Sequence, residues 1–334
     1  MNIERVLSKK FGSRFKKDIE FKQITTFRIG GKIQYFVYII SPKECVFLID
    51  FCKKHSIPYF ILGGGSNVLA SDEEFKGLVI CTLKMNNIRF KTSKPLNLNK
   101  FFFKQDINIK NTFLGSDKKL SFKQDNFVEV QSGVRLSTLV IESAKQGLSG
   151  LEWAVGIPGT VGGATLMNAG AFGGQMSDRI VSVTYFDGKK IKKSRKEDLV
   201  FEYRFSNFKK IKDVIIFSVC FSLEYRKTEE IQDNIKKITE KRLATQKVGY
   251  PSAGSVFKRL PHITAAEMID KSGLKGTQIG GAMVSKVHSG YIVNVGGATC
   301  ADVRKLIDFI SKSVYNKFTE KLELEIILIG DKNG

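Results

Sequence analysis

Seven of the 19 residues from Gly156 to Gly174 are glycine, and small side chains fill most of the gaps between them. Such a ribbon buries little apolar surface and loses much backbone entropy when it is ordered. A flexible linker shares this glycine content, but Ile157, Val161, Leu166 and Met167 are too apolar for one. The run therefore reads as a surface along which something bulky and flat, or a diphosphate, is laid. A second cluster, Gly63-Gly64-Gly65-Ser66-Asn67, directly follows the apolar tetrad Tyr59 to Leu62. There the backbone can turn sharply and aim N–H groups at an anion. A tight strand-exit turn would use the same residues. Neither cluster has the GxGxxG spacing, and the chain contains no GxxxxGK[ST] loop. Together they point to a dinucleotide held outside the Rossmann format.

At 334 residues the chain exceeds what one hydrophobic core usually supports, so two or three subdomains are expected. Gln34 to Ile40 reads as a strand, Pro42 to His55 as a helix, and Tyr59 to Leu62 and Leu78 to Cys81 as further strands. This opening suggests an α+β or α/β layering. From Lys84 to Asn126 Lys, Asn and Phe dominate and neither period holds, so the stretch reads as an insertion or extended surface hairpin. Its Phe101-Phe102-Phe103 triplet should find cover. Phe127 to Gln131 is then a strand, and Leu136, Leu139, Val140 and Ala144 follow helical spacing up to a stop at Gly147. Ile180 to Phe186 and Val214 to Leu223 are expected strands, and Thr228 to Ala244 a charged amphipathic helix. Beyond a turn at Tyr250 to Ser255 come helices at Ala265 to Ser272 and Cys300 to Phe318, a strand at Tyr291 to Val295 and a closing strand at Leu322 to Ile329.

Composition excludes several classes. Five scattered cysteines with no CxxC pair make neither a disulfide framework nor a zinc site, and three histidines are too few for a His-rich metal centre. No metal is expected. The longest apolar runs, Tyr35 to Ile40 and Ile326 to Ile329, fall far short of the roughly 20 residues of a membrane span. The basic amino terminus lacks the apolar core of an export signal, so a cytoplasmic protein is expected. The net charge is +21, yet only 12 of the 54 basic residues are Arg, whereas nucleic-acid readers favour Arg. The densest run, Lys189, Lys190, Lys192, Lys193 and Lys196, follows Asp187-Gly188 and reads as a solvated hairpin rim, with a nucleic-acid surface as the alternative. Excess positive charge also attracts polyanionic small molecules.

Several segments in order carry a family resemblance: Thr25 to Gly31, Gly63 to Asn67, Gly156 to Gly174, Tyr203-Arg204-Phe205-Ser206, Tyr250 to Lys258, Ile279 to Ala282, His288 to Thr299, and Leu322 to Glu325. The ordered set, interrupted only by Lys84 to Asn126, resembles the UDP-N-acetylenolpyruvoylglucosamine reductases, also called UDP-N-acetylmuramate dehydrogenases. The resemblance implies an α+β protein with the two-subdomain FAD-binding fold of FAD oxidases (PCMH or vanillyl-alcohol-oxidase-like) and a C-terminal α+β substrate domain. The expected boundaries are 1–82, 83–226 with the insertion at about 84–126, and 227–334. It further implies FAD, reduced by NADPH as co-substrate, and a UDP-sugar carrying the enolpyruvyl group that is reduced in peptidoglycan precursor synthesis, hence in cell-wall growth, cell shape and division. Both substrates would use one pocket in turn, giving ping-pong kinetics. The FAD is expected to be noncovalent, since neither glycine-rich loop contains a His or Cys. A monomer is expected, with no nucleic-acid or membrane partner.

By the same resemblance, Gly63, Gly64, Gly65, Ser66, Asn67, Gly156, Ile157, Pro158, Gly159, Gly162, Gly163, Asn168 and Gly170 bind the cofactor. Arg204 and Glu325 stabilise an enolate, and Ser255 donates the proton to its α carbon. Tyr203, Lys247 and Lys258 are assigned to substrate, either lysine also being eligible as the partner of Ser255. An Arg fork matches a carboxylate and stays charged. Glu325 suits a developing dianion if it is protonated or shares a hydrogen bond. Taken singly, each has an ordinary explanation: Arg204 as a surface residue, Ser255 as a turn serine, and Glu325 as the wet face of an edge strand. His288 is assigned no proton transfer. Leu324 and Leu260 stand where the family often has Pro, and Ile327 where it often has a basic residue. The 51-residue interval from Arg204 to Ser255 and the Tyr-Pro-Ser-Ala-Gly-Ser signature match the shorter subtype, without a substrate-capping tyrosine loop. The alternatives are an FAD oxidase of the same fold acting on another substrate, and a basic nucleic-acid-binding protein with a decayed flavin site.

Overall fold

A computed structural model describes residues 2–91 and 126–330; Phe101-Phe102-Phe103 and most of the Lys84 to Asn126 stretch lie outside the described residues. The chain starts with a helix, Ile3–Phe11, whose first turn is capped by the Asn2 side chain and which buries Leu7 and Phe11. A four-stranded sheet follows, in the order Phe15–Glu20, Lys32–Tyr38, Phe75–Cys81, Tyr59–Leu62. Its first pair is antiparallel and the other two are parallel. The parallel crossover is the helix Pro42–Lys54, entered through Ser41 as N-cap and Pro42 in the first turn. Cys45, Leu48, Ile49 and Cys52 fill the space between helix and sheet.

A second sheet is antiparallel, in the order Ile191–Arg195, Ile180–Asp187, Val214–Tyr225, Asn126–Gln131, Ile88–Lys91. The exposed edge strand Ile191–Arg195 carries the lysine-rich hairpin rim, with Asp187 accepting the N–H groups of Lys189 and Lys190. Helix Leu136–Lys145 packs Leu136, Leu139 and Val140 into the core of this sheet and stops at Gly147, whose φ is +66°. Within the glycine ribbon lies a short helix, Val161–Leu166.

The long polar helix Thr228–Gln246, on which only Ile231 is buried, packs against helix Leu136–Lys145 and the Glu152–Ala154 turn and leads into a third packed unit. Its antiparallel sheet runs Ser252–Ser255, Tyr291–Asn294, Ala282–Val284, Gln278–Ile279, packed under helices Ala265–Lys271 and Cys300–Phe318. Phe27, Ile29 and Leu69 from the start of the chain lie inside this core. Polar clasps reinforce the junction. The Asp72 carboxylate accepts the N–H groups of Cys300 and Ala301 at 2.8 and 3.1 Å, and the Asn294 amide donates to the carbonyls of Phe27 and Arg28.

The expected closing strand Leu322 to Ile329 divides in two. Glu323 and Glu325 bond to the backbone of Lys258 and Val256, while Ile327–Ile329 pairs in parallel with Val68–Ala70. One extended segment therefore serves two partners and bends between them, with Glu325 just before the bend.

Candidate active site

The two glycine ribbons meet. Ser66 donates its hydroxyl to the Pro158 carbonyl at 3.0 Å. A Cβ on Gly64 would stand 3.1 Å from the Gly159 Cα, and one on Gly63 would stand 2.6 Å from Thr160 Oγ1. Gly65 has φ +63°, its carbonyl accepts the Thr26 N–H at 3.0 Å, and a Cβ there would lie 2.6 Å from the Ile24 carbonyl oxygen. Bare backbone is the condition for this crossing.

Above it opens a cavity of about 810 Å³, towards the upper end of the roughly 300–1,000 Å³ usual for small-molecule sites. Arg204, Ser255 and Glu325 line it together with both ribbons. Arg204 sits in the two-residue loop of a hairpin joining Phe201–Glu202 to Phe205–Ser206, in a left-handed backbone conformation at φ +55°. Its Nε donates to Glu325 Oε1 at 2.6 Å, and the two side chains are only 20% and 13% exposed. Glu325 is pinned by its own N–H to the Val256 carbonyl at 2.8 Å and by the Asn67 amide on its carbonyl at 3.0 Å. The same backbone pairing places Ser255, at the end of its strand, beside it. Tyr291 is the cross-strand neighbour of Ser255 and lines the same cavity.

Burial pushes the Glu325 carboxyl above the ordinary carboxylate range, against the pull of Arg204, Lys209 and Lys258. Burial likewise raises the Tyr291 phenol, so it stays protonated. At the Gly156 end, Arg242 donates from Nε to the Val155 carbonyl at 2.9 Å and lies 4.8 Å over the Phe172 ring. The site can thus seat a flat dinucleotide on backbone, present guanidinium groups to phosphates and hold a carboxyl of raised pKa beside an arginine. The unpartnered, buried Thr160 Oγ1 in the lining offers one more polar contact to such a guest.

Comparison with known proteins assigns the family. An FAD binding domain matches residues 33–94 and 113–189, and the C-terminal domain of UDP-N-acetylenolpyruvoylglucosamine reductase matches residues 246–329. The reductase of Caldicellulosiruptor bescii is 38% identical over 99% of this chain and 95% of its own length. That of Clostridium novyi is 35% identical over 99% and 96%. The crystal structure of the Thermus caldophilus reductase superposes with a TM-score of 0.70 at 30% identity, covering 94% of this chain and 98% of that one. The chain belongs to the UDP-N-acetylenolpyruvoylglucosamine reductases. Its α+β architecture is the FAD-binding fold of that family joined to the reductase C-terminal domain.

In this reductase Gly63 to Asn67, Gly156 to Gly159, Gly163 and Gly170 line the cavity alongside Arg204, Ser255 and Glu325. Five expected site residues do not. Gly162 is a packing glycine, where a Cβ would meet that of Ser132 at 2.7 Å. Asn168 is buried behind the ribbon; its amide donates to the Glu202 carbonyl at 2.9 Å and its Oδ1 accepts the Ser177 N–H, so it braces the hairpin of Arg204. Tyr203 turns outward, its ring under the guanidinium groups of Arg204 and Arg259 and its hydroxyl accepting the Arg259 N–H. Lys258 is paired with Glu323 at 2.9 Å, and Lys247 follows the end of its helix between the lining residues Gln246 and Val248. Arg242, Gln246, Arg259 and Tyr291 line the cavity without having been expected. No local signal marks these two arginines, since others such as Arg5 and Arg89 are simply exposed.

Proposed function

We propose that this chain reduces the enolpyruvyl group of UDP-N-acetylglucosamine enolpyruvate to the lactyl ether of UDP-N-acetylmuramate, using FAD seated between the ribbons and NADPH as the electron source. One observation carries the residue roles: Arg204, Ser255 and Glu325 line a single cavity with both glycine ribbons. Held by the Gly63 to Asn67 and Gly156 to Gly159 backbone, FAD would supply the hydride-transfer chemistry that links NADPH to the substrate's methylene carbon.

The protein's part is electrostatics and one proton. As the methylene carbon is reduced, charge collects on the α carbon and its carboxylate. The Arg204 fork, held by Glu325, faces that charge. Burial shifts the Glu325 carboxyl towards its protonated form, in which it gives a hydrogen bond where an ionised carboxylate would repel. Ser255 Oγ–H supplies the proton to the α carbon. Arg242 and Arg259 offer guanidinium groups to the phosphates of nucleotide ligands. The first two bodies hold the flavin, and residues from about 227 onward carry substrate contacts. The enzyme works as a cytoplasmic monomer; among the described residues no helix is long and apolar enough to cross a membrane.

Steady-state NADPH oxidation tests this. Consumption should depend on the enolpyruvyl substrate, and double-reciprocal plots at several fixed substrate levels should be parallel. Intersecting lines would contradict the shared pocket, and NADPH-independent oxygen uptake would favour an oxidase.

A further inference from the structure

We propose that Lys209 is a positioning residue for the reduction, holding the Arg204 turn in the conformation that aims its guanidinium at Glu325 and the cavity. The proposal rests on the functional reading above and adds a residue to it. Arg204 occupies φ +55°, a region that a residue with a side chain rarely adopts, in a hairpin with only two paired positions on each strand. So short a hairpin needs outside support to keep such a turn. Asn168 secures one strand through the Glu202 carbonyl, and Lys209 secures the turn itself, its Nζ donating to the Arg204 carbonyl at 3.0 Å.

Lys209 is an exposed residue at the end of its turn; partial loss of water around the ammonium, with the charges of Lys258 and Arg204, holds its pKa below the ordinary lysine value, and Glu325 is the acid that draws it the other way. No carboxylate among the described residues forms an ion pair with it; its bond goes to a backbone carbonyl. The geometry gives the group one directional contact, on the backbone of the turn residue that carries the Arg204 side chain. Lys209 does not line the cavity, so it acts through Arg204.

The test uses the FAD-loaded full chain with Lys209→Met and Lys209→Arg, mixed anaerobically and followed by flavin absorbance in two half-reactions. For Lys209→Met, bleaching by NADPH should stay within about twofold of wild type. Reoxidation by the enolpyruvyl substrate should slow by about 100-fold, the penalty of misplacing a catalytic group by an ångström. Lys209→Arg, which can still donate to the carbonyl, should recover to within about tenfold of wild type. Wild-type reoxidation in Lys209→Met removes the proposal and leaves the function standing. Equal losses in both half-reactions, or no recovery by Arg alongside a lowered melting temperature, make Lys209 merely structural and overturn it. A wild-type enzyme that bleaches but is not reoxidised by the enolpyruvyl substrate removes the function and this role together.

Discussion

The cradle formed by the glycine ribbons and the charged corner formed by Arg204, Ser255 and Glu325 share one cavity but are built on opposite terms. The cradle is backbone; Gly63, Gly64 and Gly159 stand so close that a methyl group on any of them would press on a neighbour at about 3 Å or less. The corner is side chain, assembled from positions 121 residues apart and held by a 2.6 Å contact between two largely buried polar side chains. Steric space decides what the cradle tolerates, and charge and proton inventory decide what the corner tolerates. Asn67 belongs to both, since it ends the first ribbon and its amide fixes the Glu325 carbonyl.

Substitutions should separate these modes. Arg204→Met should have the largest effect, slowing reoxidation by the enolpyruvyl substrate by about 10³-fold while leaving flavin content intact. Rapid-mixing absorbance reads both, and loss of flavin would merge corner with cradle. Gly65→Ala should act the other way. A side chain at φ +63° against the Ile24 carbonyl carries strain of about 1–3 kcal/mol. FAD affinity, measured by fluorescence titration of the deflavinated chain, should fall by about 10–100-fold. Asn67→Ala, at the junction, should lower both affinity and reoxidation rate by about three- to tenfold, the worth of one hydrogen bond.

The smallest effect is thermodynamic. Burial raises the folded pKa of Glu325 above its unfolded value, so the native state binds the extra proton. Its contribution to stability is complete below the ordinary carboxyl range and is lost as pH rises through the raised value. Glu325→Gln cannot titrate. The wild-type melting temperature should therefore fall relative to that of Glu325→Gln as pH climbs from about 4 towards neutrality; a flat difference would mean that folding leaves this pKa unshifted, and a rising one that it is lowered.

The same contrast governs how far the sequence could be read. The cradle was legible because glycine at high density has few purposes, and the strands and helices of the sheets were legible from their periods. Helix Val161–Leu166 was hidden because two of its six residues are glycine, a poor helix former. The opening helix Ile3–Phe11 and strand Ile88–Lys91 were obscured by basic composition and by the surrounding insertion. The corner was legible only through family resemblance. Glu325 alternates like a solvent-facing residue along Leu-Glu-Leu-Glu-Ile, yet the segment splits between Val256 and Val68–Ala70 and turns Glu325 inward. No local period encodes such a change of partner. Arg242 and Arg259 escaped for the same reason, being brought to the cavity by packing between bodies.

The joint account is most directly tested by a single anaerobic turnover of Ser255→Ala beside wild type. Wild-type enzyme should lose its flavin absorbance on mixing with NADPH and regain it on adding the enolpyruvyl substrate. Ser255→Ala should bleach at the wild-type rate and regain its absorbance at least about 100-fold more slowly. Recovery at the wild-type rate would remove Ser255 as proton donor and contradict the assignment of this cavity as the place where reduction is completed.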